Sequence, residues 1–409
     1  MKKSLLALAA LGAFVGAAQA QSSVTVYGVL DIGYTQIASK TAAGVESKDA
    51  LVNAGNLTTS RLGFRGVEDL GAGLSAGFVV EMGIAPTSPN LSGSSNNYYA
   101  TTGLTTAGST MDNRQAFLSL TQKGVGQGKI GRQYTMVHEV VGANTVGGAN
   151  NVYGDVMYSG GNSTLVQTLA GRRDDNYTIR ATNAVNLVTE RIMGLQVSGQ
   201  YAPNSREVDG TAVGQGYSGT NVAGVKLDYT FAKLNVQAAS QNTRVKRDTD
   251  AAAPAATYIL DGSTIRLYAA GAFTALPAVK SNTVDTVATA SYDFGVLKAY
   301  LGYISRTTTN EGNTVALPTQ AVKKTGNQIG VKVPVTPAIE LAATYSKSKF
   351  QNAPNAQNFG GNSYQLQGVY NLSKRTNLYA IYGAANQDTT TASGAAKDSQ
   401  MAVGMRHSF

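Results

Sequence analysis

The 409-residue chain has no cysteine and no tryptophan, only two histidines, and nine thinly spread prolines. Without cysteine, no disulfide can hold the fold together, so hydrogen bonding and burial must do so. The histidines are His138 and His407, and the chain contains neither a Gly-x-Ser-x-Gly elbow nor a His-Glu-x-x-His helix. Hydrolytic and zinc chemistry therefore lack their usual residues, and no enzyme activity, metal or cofactor is expected. Long apolar runs are also missing, apart from Leu5 to Val15. That run is shorter than the ~20 residues a spanning helix needs. It follows Lys2 and Lys3 and precedes Ala18-Gln19-Ala20, the small-x-small pattern read by signal peptidase. Residues 1–20 are thus expected to be a cleaved export signal and 21–409 the mature domain. No Pro/Gly/Ser linker, charge run or change of pattern divides it.

The formal net charge is +9, which suits nucleic acid, anionic lipid or small anions. No basic helix, aromatic RNA-binding motif or zinc finger accompanies it, so nucleic acid is not expected as a partner. Mean hydropathy is −0.11. A soluble protein has such a value, but so does a barrel whose alternate residues face lipid and water.

From Gln21 onward, runs of about ten alternating residues are punctuated by Gly, Asn, Asp and Lys. In VTVYGVLDIGYTQ, Val24, Val26, Gly28, Leu30, Ile32 and Tyr34 share one parity. LSAGFVVEM, VAGVKLDYTF, NQIGVKVPV and IELAATYSKS repeat the pattern, and the chain ends on it with Met401, Val403, Met405, His407 and Phe409. The runs exceed the usual five or six residues of a soluble strand and approach the nine to eleven of a tilted transmembrane strand. Short links such as DFG, PVTPA and NLSKRTN alternate with long polar ones, as in barrels with tight turns at one end and long loops at the other. Of 21 tyrosines, Tyr201, Tyr229, Tyr292, Tyr303, Tyr345, Tyr370 and Tyr382 cap apolar faces, where an interfacial girdle would sit. The runs number about sixteen, enough to enclose an aqueous channel. The expected fold is an all-β, transmembrane antiparallel β-barrel. In lipid the last strand must pair with the first, with Phe409 as a rim anchor.

Parity also locates charge. Leu62 and Phe64 on the lipid face aim Arg61 and Arg65 into the lumen, Tyr177 and Ile179 aim Arg180 inward, and Glu81 projects inward from its strand. An arginine at such a level can equally be a snorkelling rim residue.

SSVTVYGVLDIGY, SRLGFRGVEDLGAGLSAGFVVEMG, NRQAFLSL, GKIGRQYT and the terminal GMRHSF together resemble the general-diffusion porins of Gram-negative outer membranes, the β-proteobacterial type in particular. The resemblance covers essentially the whole mature chain. It implies a sixteen-stranded barrel in the outer membrane, a homotrimer, a third external loop folded into the lumen, and passive passage of small hydrophilic solutes. It also implies that Arg114 and Arg132 are wall arginines, although parity leaves both facings open and a bulge would turn either one outward. Residues 136–172 lack steady alternation and resemble the inward loop, whose acids, Glu139 and Asp155, would with Glu81 face the arginines across the pore. A unit charge about 6 Å from an ion is worth roughly 0.7 kcal/mol in water-like dielectric. Several unpaired arginines therefore imply a weak to moderate preference for inorganic anions. The alternatives are a substrate-specific channel, with Tyr98, Tyr99, Tyr153 and Tyr158 as an aromatic track, and a barrel hydrolase. The chain departs from the family pattern in a long second loop, around 86–110, and in an apolar insert within the fifth, ATYILDGSTIRLYAAGAFTALP, an extra strand, subunit contact or lid.

Overall fold

The computed structural model describes residues 23–40, 44–87, 112–146, 178–203, 205–208, 216–247, 257–261, 264–268, 279–310, 322–353, 357–388 and 396–409. The expected signal segment lies outside them. The first strands are β1 (Ser23–Lys40), β2 (Glu46–Ala54), β3 (Arg61–Gly71), β4 (Leu74–Gly83), β5 (Asp112–Gln122) and β6 (Gly126–Tyr134), followed by helix α1 (Met136–Ala143). Then come β7 (Arg180–Thr189), β8 (Leu195–Ala202), β9 (Ser205–Val208), β10 (Gly216–Phe231), β11 (Leu234–Arg247), β12 (Thr257–Asp261) and β13 (Thr264–Tyr268). The last are β14 (Val279–Asp293), β15 (Lys298–Asn310), β16 (Val322–Pro334), β17 (Ile339–Ala353), β18 (Gln357–Asn371), β19 (Thr376–Asp388) and β20 (Ala396–Ser408).

Each strand pairs antiparallel with its sequence neighbour, and β20 returns to β1 from Val29↔Ser408 to Lys40↔Lys397. Beyond the last ladder pair, Gly28 N donates to Phe409 O at 3.0 Å and Phe409 N to Gly28 O at 3.1 Å. This is the closure expected from the alternating C-terminus, and it leaves no sheet edge for lipid to meet. β2 and β3 together form one stave beside β1, and β8 and β9 one stave beside β10, so the wall has sixteen staves. The insert supplies β12 and β13, which pair only with each other. Of the readings open to it, extra strand is the one realised.

Burial is inverted relative to a soluble fold. On β1, Val24 and Val26 are 63% and 53% exposed while Asp31 and Thr35 are fully buried. The same holds on β10, where Val225 and Leu227 are exposed and Lys226 and Asp228 buried. Apolar side chains thus face lipid and polar ones the lumen, as period-two patterning dictates. All seven tyrosines placed in the girdle are exposed on this outer face. The tight turns follow from short-range side-chain bonds: Asp293 Oδ1 accepts from Gly295 N at 2.7 Å, and Ser373 Oγ from Arg375 N and Thr376 N at 3.1 and 3.0 Å.

α1 lies inside the barrel. Thr135 caps it, its hydroxyl oxygen accepting from His138 N at 3.4 Å. Met136, Val137, Val140 and Val141, all fully buried, pack on Ala239, Val287 and Ile304, which share the lumen-facing parity of their strands. Asn144 then pins the helix end to Asn235 and Thr289 and accepts from Ser291 Oγ at 2.8 Å. An eight-residue helix is marginal alone; the apolar patch on an otherwise polar inner wall is what seats it.

Candidate functional site

The charged waist begins at β3. Arg61 Nε donates to Thr59 O at 3.0 Å and Nη2 to Thr58 Oγ1 at 2.9 Å, which holds the guanidinium upright over the lumen. Its Nη1 stands 4.0 Å from Glu81 Oε2. Glu81, 4% exposed, also accepts Arg114 Nε at 2.7 Å and the Tyr27 hydroxyl at 3.2 Å. Tyr27 reaches it by lying across Gly63, the residue in register between the two, where a β-carbon would collide with the phenol ring. Arg65 stacks over the other side of Tyr27, 5.2 Å from the ring centroid. Arg114 continues the row by donating Nη2 to the Tyr134 hydroxyl at 2.8 Å, and Arg180 lies 5.4 Å from the Tyr134 centroid. His138, on the first turn of α1, stacks on Tyr134 with centroids 4.6 Å apart. Arg61, Arg65, Arg114 and Arg180 thus form one rank along β3 to β7 and into α1, with Glu81 as the carboxylate among them.

Two bulges decide the facings that parity left open. β4 and β5 slip register between Glu81↔Gln115 and Met82↔Asn113, and the extra residue, Arg114, turns into the lumen. β6 and β7 slip between Gly131 and Gln133, with Gly131 at φ 134°. Arg132 therefore shares the parity of its partner Ala116 and lies on the outer face, donating to Asn113 O at 2.6 Å and Thr182 Oγ1 at 2.7 Å. The expectation that Arg132 lines the pore is corrected accordingly. Glu139 is on α1 as expected but faces the wall, paired with Lys226 and with Lys129 at 3.8 Å, so it does not oppose the arginines. Asp155 and the tyrosines Tyr98, Tyr99, Tyr153 and Tyr158 lie outside the described residues.

A second inward element was not anticipated. Residues 55–60, between β2 and β3, leave the wall and wrap Asp31, whose Oδ2 accepts Leu57 N and Thr58 N at 2.8 and 2.6 Å. Tyr379 donates to Asp31 Oδ1 at 2.5 Å, crossing the paired glycines Gly33 and Gly404, either of which would meet its hydroxyl with a β-carbon. Thr35 donates to Asn56 Oδ1, and Leu57 packs on the cluster of Val369, Tyr379, Ile381 and Ala402. This collar carries Thr58 and Thr59, the partners of Arg61. The one signal for it in the sequence is Asp31, a carboxylate on the lumen parity between Leu30 and Ile32. Removing the Tyr379 hydroxyl should cost about 1.5–3 kcal/mol, as for a hydrogen bond to a charged group. Tyr379→Phe is expected to lower the thermal unfolding temperature in detergent and to broaden single-channel current noise as Arg61 loses its fixed seat. Unchanged values of both would refute the collar's role.

Burial, and then the positive charges of Arg180, Arg114 and Arg61, depress the His138 pKa to about 3. The native imidazole is therefore neutral where the unfolded one, near 6.5, takes up a proton, and stability falls as pH drops from 6.5 toward 3. Its charge contributes nothing to the waist at pH 4–7. The zero-current potentials of wild type and His138→Gln should track each other over that range, and a divergence near pH 6 would show that the ring titrates.

A sealed, inside-out barrel with an arginine-lined waist is a passive outer-membrane diffusion channel. The chain belongs to the Gram-negative porin family, whose pattern matches residues 7–390. It is 29% identical over 447 residues to an outer membrane porin protein of Bordetella pertussis and 29% over 423 residues to outer membrane porin protein 32 of Delftia acidovorans, in both cases across 100% of either chain. Among solved structures it is similar to the anion-selective porin from Comamonas acidovorans (TM-score 0.66, 20% identity, 95% of this chain and 100% of that one). It is also similar to the trimer form of the Vibrio cholerae outer membrane protein OmpT (TM-score 0.59, 16% identity, 95% and 99%). The family is one of channels rather than enzymes, located in the outer membrane.

Proposed function

We propose that this porin passes small hydrophilic solutes with a weak to moderate preference for inorganic anions, that Arg61, Arg65, Arg114, Arg180 and Glu81 form its constriction, and that it works as a homotrimer exported by cleavage after Ala20. The observation that carries the selectivity is the rank itself: Arg61 and Arg114 share the single carboxylate of Glu81, while Arg180 and Arg65 rest on tyrosine rings. Glu139, the acid nearest in sequence, is neutralised by Lys129 and Lys226, so the described waist carries surplus positive charge. The anion-selective Comamonas porin and the trimeric Vibrio protein are consistent with this reading, and the start of β1 at Ser23 is consistent with the cleavage position. The test is the zero-current potential of purified protein in a planar bilayer under a potassium chloride gradient. Potentials of anion sign that shrink with rising salt are expected; a cation sign overturns the selectivity.

A further inference from the structure

The outer wall from β16 to β20 has a trough that the channel function does not use. Its volume is about 570 Å³. Ala343, Gly368 and Ala380 form the floor, and Leu341, Leu366 and Met401 are among the flanks. Small residues on three adjacent staves let the sheet surface dip between bulky neighbours, a slot suited to a slender flexible chain.

What stands above the trough distinguishes it from the rest of the lipid-facing wall. One step further along the outer face comes a shelf of Tyr345, Tyr364 and Tyr382, with Tyr345 opposite Tyr364 in register and the rings of Tyr364 and Tyr382 6.2 Å apart. Above the shelf, Lys347 and Lys349 continue the same outward parity of β17, opposite Asn327 and Thr325, and Lys323 lies one outward position beyond on β16. All three lysines are exposed, and among the described residues none has an ion-pair partner. They stand at the end remote from the tight turns 335–338 and 372–375, the end that faces outward in outer-membrane barrels.

We infer that this face binds a phosphorylated, multiply acylated glycolipid of the outer leaflet, with an acyl chain in the trough, the sugar on the tyrosine shelf and the phosphates at Lys323, Lys347 and Lys349. Charge complementarity favours this occupant over a second copy of the chain. The outer face at the lysine level is itself basic, with Lys40, Lys48, Arg244 and Lys397 exposed and Glu46 already bonded to Lys40. Another subunit would bring like charge to the site, whereas a phosphate brings the opposite one.

The test is native mass spectrometry of the detergent-purified porin titrated with a bis-phosphorylated, six-chain glucosamine disaccharide. The dephosphorylated disaccharide and phosphatidylcholine serve as comparison lipids. The wild type should retain the phosphorylated lipid in preference to both. Lys323→Gln/Lys347→Gln/Lys349→Gln should weaken retention by more than about tenfold, and Ala380→Leu, which fills the floor, should do so independently. Both variants should keep wild-type conductance, which confirms that they fold. Equal retention of the dephosphorylated lipid, or wild-type affinity in the triple variant, would overturn the phosphate contact. If Ala380→Leu dissociates the oligomer without altering lipid retention, the trough is a subunit contact and the inference fails. Should Ala380→Leu not assemble, Ala343→Leu, which fills the same floor, replaces it with the same outcomes.

Discussion

Replacing Arg61 and Arg114 together by glutamine is expected to move the zero-current potential from anion to cation sign. In the native waist the two guanidiniums share Glu81, leaving one positive charge. The double variant leaves one negative charge at the same place, a change of two elementary charges. With roughly 0.7 kcal/mol per charge at about 6 Å in water-like dielectric, the anion-to-cation permeability ratio should fall about tenfold at low salt, and less at 1 M, where screening acts over about 3 Å. Arg114→Gln alone should already shift the ratio by about threefold, since Arg61 at 4.0 Å is a looser partner for Glu81. The same double substitution combined with Glu81→Gln should bring the ratio back toward neutrality. If the double variant keeps the wild-type potential in dilute salt, the constriction lies elsewhere.

Val140→Asp should produce the second large effect, an increase in single-channel conductance. Val140 is fully buried between α1 and the wall, in contact with the cluster of Ala239, Val287 and Ile304. A carboxylate forced into that contact costs several kcal/mol, more than one apolar contact supplies at ~1.5–3 kcal/mol. A loss of ~3 kcal/mol shifts docking by more than a hundredfold. The undocked helix, ~10 Å across with its side chains, would then vacate part of the lumen. Val140→Ala, which removes only methyl groups, should leave conductance close to wild type. A Val140→Asp channel with unchanged conductance and noise would mean that the helix does not limit flow.

Much of this was legible in the sequence because period-two alternation has only one reading when both faces are wetted by different solvents. The lipid-facing valines of β1, the closing pairs of β20 and the girdle tyrosines all follow from it, and so do the inward facings of Arg61, Arg65 and Glu81. Parity fails where a ladder gains a residue. Arg114 and Arg132 sit at bulges that turn one inward and the other outward, and nothing in NRQAFLSL or GKIGRQYT announces which. Glu139 was misassigned for a different reason: a loop acid can be placed by family likeness but its partner cannot, and Lys129 and Lys226 are distant in sequence. The collar escaped because its parts, Asp31, residues 55–60 and Tyr379, meet only once the barrel has closed.

That collar has a mechanical consequence. It is rooted on β1 and β19, whereas α1 rests on β10, β11 and β14, half the circumference away in the order of staves. The gap is therefore bounded by two jaws on opposing sides of a hoop. Squeezing the hoop into an oval along that diameter narrows the gap by the full deformation, and squeezing it at right angles widens it. Lateral tension or bilayer thickness would then tune flux with no hinge and no moving loop.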